Sequence, residues 1–89
     1  MEKSYYIYII RCDDNSLYTG ITTDLSRRFS QHQTKTGAKY TRTHQVVKIE
    51  AFWQVSGRSE ATKLECKIKK LTKMQKENLI KFPDKFNLL

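Results

Sequence analysis

Eighty-nine residues, 38% of them hydrophobic and only one of them proline, make one domain spanning residues 1–89, and exclude a disordered chain or a protein with two cores. No apolar run approaches a membrane span and the first residues, MEKSYYIY, lack a signal peptide's layout, so cytoplasmic residence is expected. The net charge of +8 is lopsided, with two bases against four acids in residues 1–26 and fifteen against five in the rest, which points to a polyanionic partner and, with no basic amphipathic helix, away from a membrane surface.

Residues 5–12, YYIYIIRC, are apolar on both faces up to Arg11. Strands covered on two sides read this way, so this one belongs at the centre of a sheet. Asp13, Asp14 and Asn15 suit a three-residue hairpin loop, with Asn15 in the left-handed position that closes it. That loop sets Tyr8 opposite Gly20 and Ile10 opposite Tyr18 in a second strand over residues 16–22. Opposed residues share a face and neighbours alternate. Ile7, Ile9, Leu17 and Ile21 therefore form a face for helices to cover, and Tyr6, Tyr8, Tyr18 and Gly20 form the other, expected to be open to solvent. Gly20 should leave a gap beside the Tyr8 phenol where a substrate backbone can come close.

A helix is predicted over residues 23–35, capped by Thr23 or Asp24, with Leu25 and Phe29 as its buried stripe. Arg28 and His32, four residues apart, flank that stripe, whereas Arg27 points to water. An arginine at Arg28 can rest its stem on the core and hold its guanidinium at a cleft. For His32, phosphate contact, proton shuttling and plain helix packing are all open. Residues 33–45 are polar and basic, with Lys35, Lys39, Tyr40, Arg42 and His44 around Gly37. Such a loop suits contact with a nucleic-acid backbone and stacking on an unpaired base, or is a surface loop.

Residues 46–55 alternate as a third strand at an edge beside the first, with Val47, Ile49, Ala51, Trp53 and Val55 on one apolar face. Ser56-Gly57-Arg58 breaks it, and a second helix over residues 59–71 turns Ala61, Leu64, Ile68 and Leu71 inward. Glu65 borders that stripe. A carboxylate there needs a cation or donors, unless it forms a capping box with Thr62 in a helix that starts later. Glu60 answers to the helix dipole. Thr72 and Gln75 form a capping box for a third helix reaching to about 82, where Phe82-Pro83 ends it and a tail docks Phe86 and Leu88 or frays. Cys12 and Cys66 have neither zinc nor disulfide spacing and read as reduced, half-buried thiols. The fold class is α+β: a three-stranded antiparallel sheet, first strand central, flanked by about three helices.

The ordered set of Tyr6-Ile7-Tyr8, Tyr18-Thr19-Gly20, Arg28 eight residues after that glycine, and Glu65 on a later helix resembles the GIY-YIG endonuclease superfamily, in particular its small stand-alone bacterial members. The likeness covers nearly the whole chain. Tyr6 stands where the first motif has glycine, and Thr19 where the second has isoleucine; neither change removes a chemically active group.

The resemblance implies a metal-dependent endonuclease acting on DNA, with Tyr8, Tyr18, Arg28, His32 and Glu65 as catalytic residues and Tyr6, Gly20, Lys35, Lys39, Tyr40 and Arg42 touching nucleic acid. Glu65 is a hard oxygen ligand suited to a single Mg²⁺ or Mn²⁺ that keeps most of its waters. Arg28 can grip a phosphate through paired hydrogen bonds. Tyr18 is the expected general base with Tyr8 in support, which requires a phenol pKa below its usual value of about 10. The chain shows no P-loop, Ser/His/Asp set or His/Cys cluster, and no separate DNA-reading module. Selection by substrate structure, as in branches, flaps or single strands, or specificity supplied by a protein partner, is therefore expected of a monomer. The alternative is a nucleic-acid-binding module, for DNA or RNA, that keeps the fold without cleaving.

Overall fold

The structure, a computed structural model, describes residues 3–34 and 44–89. Its centre is strand β1 (Ser4–Cys12), which pairs antiparallel on one side with β2 (Leu17–Thr22) and on the other with β3 (Val46–Ser56), in the order β2-β1-β3. Around the sheet lie helices α1 (Leu25–Gln33), α2 (Arg58–Lys69) and α3 (Lys73–Lys81), followed by a 3₁₀ helix (Pro83–Leu88). This is the α+β architecture expected from the sequence. None of the described helices is long and apolar enough to cross a membrane.

The hairpin forms as its loop chemistry requires. Asn15 takes φ 70°, its amide donates to the Cys12 carbonyl at 2.9 Å, and the Cys12 amide donates to the Ser16 carbonyl at 2.9 Å. The resulting register sets Tyr8 against Gly20 and Ile10 against Tyr18. Local caps follow the sequence as well. The Asp24 carboxylate accepts from the Arg27 amide at 3.1 Å, and Thr72 and Gln75 form a reciprocal capping box on α3. Gly57 caps α2 at φ 81°, a conformation other residues adopt only with strain.

Ile7 and Ile9 are fully buried under Ala61, Leu64 and Ile68 of α2 and Leu79 of α3. Truncating such a residue, as in Ile68→Ala, costs about 2–5 kcal/mol. The other face differs from expectation. It is not open to solvent, because Leu25 and Phe29 of α1 pack there with Tyr8, Ile10, Cys12, Val46 and Ile49. The helical stripe was legible; the side of the sheet it seeks was not.

The third strand also departs from simple alternation. Its register slips between Ile9 and Ile10, so that Ala51 faces Ile9 and Ile49 faces Ile10, with Glu50 bulged between them. Ile49 therefore joins the tyrosine face while Trp53 and Val55 stay on the other. A second slip leaves Val47 51% exposed and Val46 buried. The bulge delivers Glu50 to Arg11, whose Nε donates to it at 2.8 Å, while Nη1 donates to Glu77 of α3 at 2.9 Å. Arg11 thus ties β1, β3 and α3 together and holds the Glu77 carboxyl at a pKa of about 2.

Two smaller expectations split. Cys12 is buried and Cys66 exposed, so the thiols are not alike. In the tail, Phe86 docks by stacking on Trp53 with ring centroids 4.7 Å apart, but Leu88 stays 83% exposed.

Candidate functional site

The site is built around one phenol. Tyr8 alternates onto the α1 side of β1, and the β1–β2 register brings the Tyr18 ring to it across the hairpin, with centroids 6.5 Å apart. Gly20 explains itself here. A Cβ at that position would lie 2.5 Å from the Tyr8 hydroxyl and 3.2 Å from the Tyr18 ring, so only glycine lets the two phenols converge. The expected opening for a substrate backbone at Gly20 is thus already filled, by the Tyr8 side chain itself.

Helix α1 supplies the next two groups. His32, seven residues after Leu25 on the same stripe, is fully buried, and its Nε2 lies 2.8 Å from the Tyr8 hydroxyl. Its ring centroid is 5.7 Å from that of Tyr8 and 5.4 Å from that of Tyr18. Burial, with a smaller push from Arg28, lowers the His32 pKa to about 4, so the imidazole is neutral near pH 7. A neutral ring carries one N–H, and which partner donates in this hydrogen bond follows from the tautomer it adopts. Full burial also removes His32 from any phosphate contact.

Arg28, half-buried, reaches the same hydroxyl and favours its ionised form, but burial outweighs this and the Tyr8 pKa is pushed up to about 12. The Arg28 Nη1 donates to the Gln31 side chain at 3.1 Å, and among the described residues the guanidinium makes no ion pair with a carboxylate. Arg27 is exposed, as its position on the helix requires.

Glu65 lies in the middle of α2, which starts at Arg58, so the capping box with Thr62 does not form. Its side chain is 17% exposed, with Lys69 Nζ at 3.4 Å, and its charge contributes to raising the Tyr8 pKa. Two phenols, a guanidinium and an imidazole, from β1, β2 and α1, therefore converge at the Tyr8 hydroxyl, and the Glu65 carboxylate on α2 lies near enough for its charge to act on that phenol. Among the described residues no three His, Cys, Asp or Glu side chains cluster as metal ligands. The donor set at Glu65 fits an ion that keeps most of its own water and does not fit an all-protein cage.

Of the other expected contacts, Tyr6 is half-buried and meets Phe52 edge-on at 6.2 Å. Lys35, Lys39, Tyr40 and Arg42 lie outside the described residues. Gln31 and Lys69 were not anticipated, although their spacing from Arg28 and Glu65 (three and four residues along a helix) was available as a signal.

The chain is similar to known proteins over most of its length. It is 48% identical to UPF0213 protein FN1575 of Fusobacterium nucleatum, covering 93% of this chain and 83% of that protein. UPF0213 protein YhbQ of Salmonella typhimurium is likewise 48% identical, over 96% of this chain and 85% of the relative. Among solved structures, the solution structure of EF2693 from E. faecalis is 42% identical with a TM-score of 0.62, covering 100% of this chain and 94% of that one. That of UPF0213 protein BH0048 from Bacillus halodurans is 39% identical with a TM-score of 0.54, covering 89% and 84%. The model of the GIY-YIG catalytic domain matches residues 4–78, from the start of β1 into α3 and so across every group just described, and the chain belongs to the GIY-YIG family.

Proposed function

We propose that this protein is a divalent-metal-dependent endonuclease that hydrolyses phosphodiester bonds in DNA and selects its substrate by structure. The observation that carries this reading is the set of groups around the Tyr8 hydroxyl, because packing alone does not require Tyr18, Arg28 and His32 to meet at one buried phenol with the Glu65 carboxylate close enough to act on it.

Each group has a chemical task. Arg28, not neutralised by a carboxylate among the described residues, keeps its charge for a phosphate and for the negative charge that grows on it during attack. Tyr8, with a pKa of about 12, keeps its proton near pH 7; it is hydrogen-bonded to His32, and its oxygen helps to hold the Arg28 guanidinium. Tyr18 is half-buried and so the more accessible phenol, which leaves it as the base: in its phenolate form it takes the proton of the attacking water and becomes the neutral phenol. Glu65 is the carboxylate to hold Mg²⁺ or Mn²⁺, and such an ion supplies positive charge at the leaving oxygen when bound. None of these groups reads a base edge; they address phosphate and water, which supports selection by backbone structure over sequence.

The test is a nicking assay on linear, branched and single-stranded DNA and RNA with Mg²⁺ or Mn²⁺. Scission by the parent protein that disappears in Glu65→Gln is expected. Absence of scission from every substrate with either ion would discard the proposal. The Lys69 ammonium beside Glu65 favours a second reading, a module that binds nucleic acid without cutting it. That reading predicts the same salt-sensitive binding and no scission.

A further inference from the structure

Phe52 is a large apolar side chain left 55% exposed on β3. Its register partner is Tyr8, so it stands on the face of the sheet that carries the site. Tyr6 meets it edge-on at 6.2 Å, and the two rings border an open groove of about 330 Å³ with Thr23, Asp24 and Leu25 along the start of α1. Leu25 also lines the space beside Tyr8 and Arg28, so groove and site adjoin.

Resting on the endonuclease reading above, we infer that this groove holds one unpaired nucleobase of the substrate strand, stacked on Phe52 beside the phosphate gripped by Arg28. Three features select a base over other occupants. Its sheet-side wall is aromatic, formed by Tyr6 and Phe52, and every base offers a π-face to such a platform. The Asp24 carboxylate in the groove repels a phosphate but can accept from the N–H groups of a base, even while it caps α1. The groove is continuous with a site whose arginine suits the adjoining phosphate. A paired base cannot enter, because its faces are already stacked within the duplex. The platform therefore gives the enzyme a preference for single strands, flaps or frayed ends.

The experiment measures binding without cleavage. Equilibrium affinity in EDTA is compared for a single-stranded oligonucleotide and for the matching duplex, using parent, Phe52→Ala, Phe52→Leu and Phe52→Tyr. Phe52 is exposed, so the variants are expected to fold. Loss of one stacked base should weaken single-strand binding about 5- to 100-fold in Phe52→Ala. Phe52→Leu should fall with it and Phe52→Tyr should retain the parent's affinity, while duplex binding moves less than about twofold in all three. Equal weakening on both substrates, or parent-like binding by Phe52→Ala, overturns the inference. If the parent binds neither substrate, the nuclease reading falls with it; if it binds a single strand through Phe52 yet never cuts, only the catalytic reading falls.

Discussion

Two arginines on opposite faces of the same sheet are used in opposite ways. Arg11 is met by Glu50 and Glu77, and its Nη1 donates to the Asn15 side chain at 2.6 Å, so its charge is consumed inside the protein. Arg28 is met by an amide and a phenol, and no carboxylate among the described residues neutralises it. A charge neutralised within the fold holds the fold; a charge held in place without neutralisation is available to an anionic ligand. The two faces follow the same division. Aliphatic side chains and the Arg11 ties dominate the face under α2 and α3, and Tyr8, Tyr18, Arg28 and His32 gather on the face under α1.

The largest expected effect is on activity. Tyr18→Phe should slow scission about 10²–10⁴-fold, and Arg28→Ala about 10²–10³-fold, with unfolding free energies lower than the parent's by no more than about 1 kcal/mol, the usual loss for a point substitution. Single-turnover rates and urea melts check both. A large loss of stability in Arg28→Ala would erase the distinction between the arginines. Arg11→Ala should behave in reverse. Removing it leaves Glu50 with Lys48 at 3.0 Å and Glu77 with Lys73 at 2.9 Å, so neither carboxylate is stranded, and losing the charge-assisted hydrogen bonds costs about 2 kcal/mol. Its cleavage rate, measured well below the melting temperature, should stay within a few-fold of the parent's.

A pH titration sharpens the contrast further. The folded-state pKa of His32, about 4, lies below the ordinary 6.5, so the unfolded chain binds more protons between those values. Stability is complete above pH 6.5 and declines toward pH 4, by about 2 kcal/mol between pH 7 and pH 5. Urea denaturation at the two pH values measures it, and His32→Gln should flatten the difference. Glu77, whose pKa is lowered to about 2, stays ionised through that window, so the Arg11 ties are unaffected until more acidic pH. The smallest effect is a gain. The buried Thr19 hydroxyl finds no hydrogen-bond partner among the described residues, so Thr19→Val should stabilise by about 1 kcal/mol in a urea melt. A loss there would point to a role for the hydroxyl beyond the contacts seen here.

Much of the site was legible because hairpin chemistry is local. Three loop residues set the register, and the register alone put Tyr8 against Gly20 and near Tyr18. Helical spacing then brought Arg28 and His32 to the same side of α1, although His32 lies fully buried within the Leu25 stripe and not at its edge. What stayed hidden depends on long-range choices. The Leu25–Phe29 stripe fits either face of the sheet, so the burial of the tyrosine face could not be read from it. The run over residues 46–55 alternates without a break, and only pairing with β1 reveals the bulge that sends Glu50 to Arg11. The fate of Gly20 was misjudged for a related reason: a missing side chain announces a close approach, but not which group makes it.

The central claim is that two phenols, a guanidinium and a carboxylate act as one unit on one phosphate. The most direct measurement is a double-mutant cycle on the single-turnover scission rate, with Tyr18→Phe, Arg28→Ala and the two combined. Groups that act together lose little more in combination than in the worse single variant. The double variant should therefore cut within a few-fold of the slower single one. Losses that multiply, or single variants that cut as fast as the parent, would contradict it.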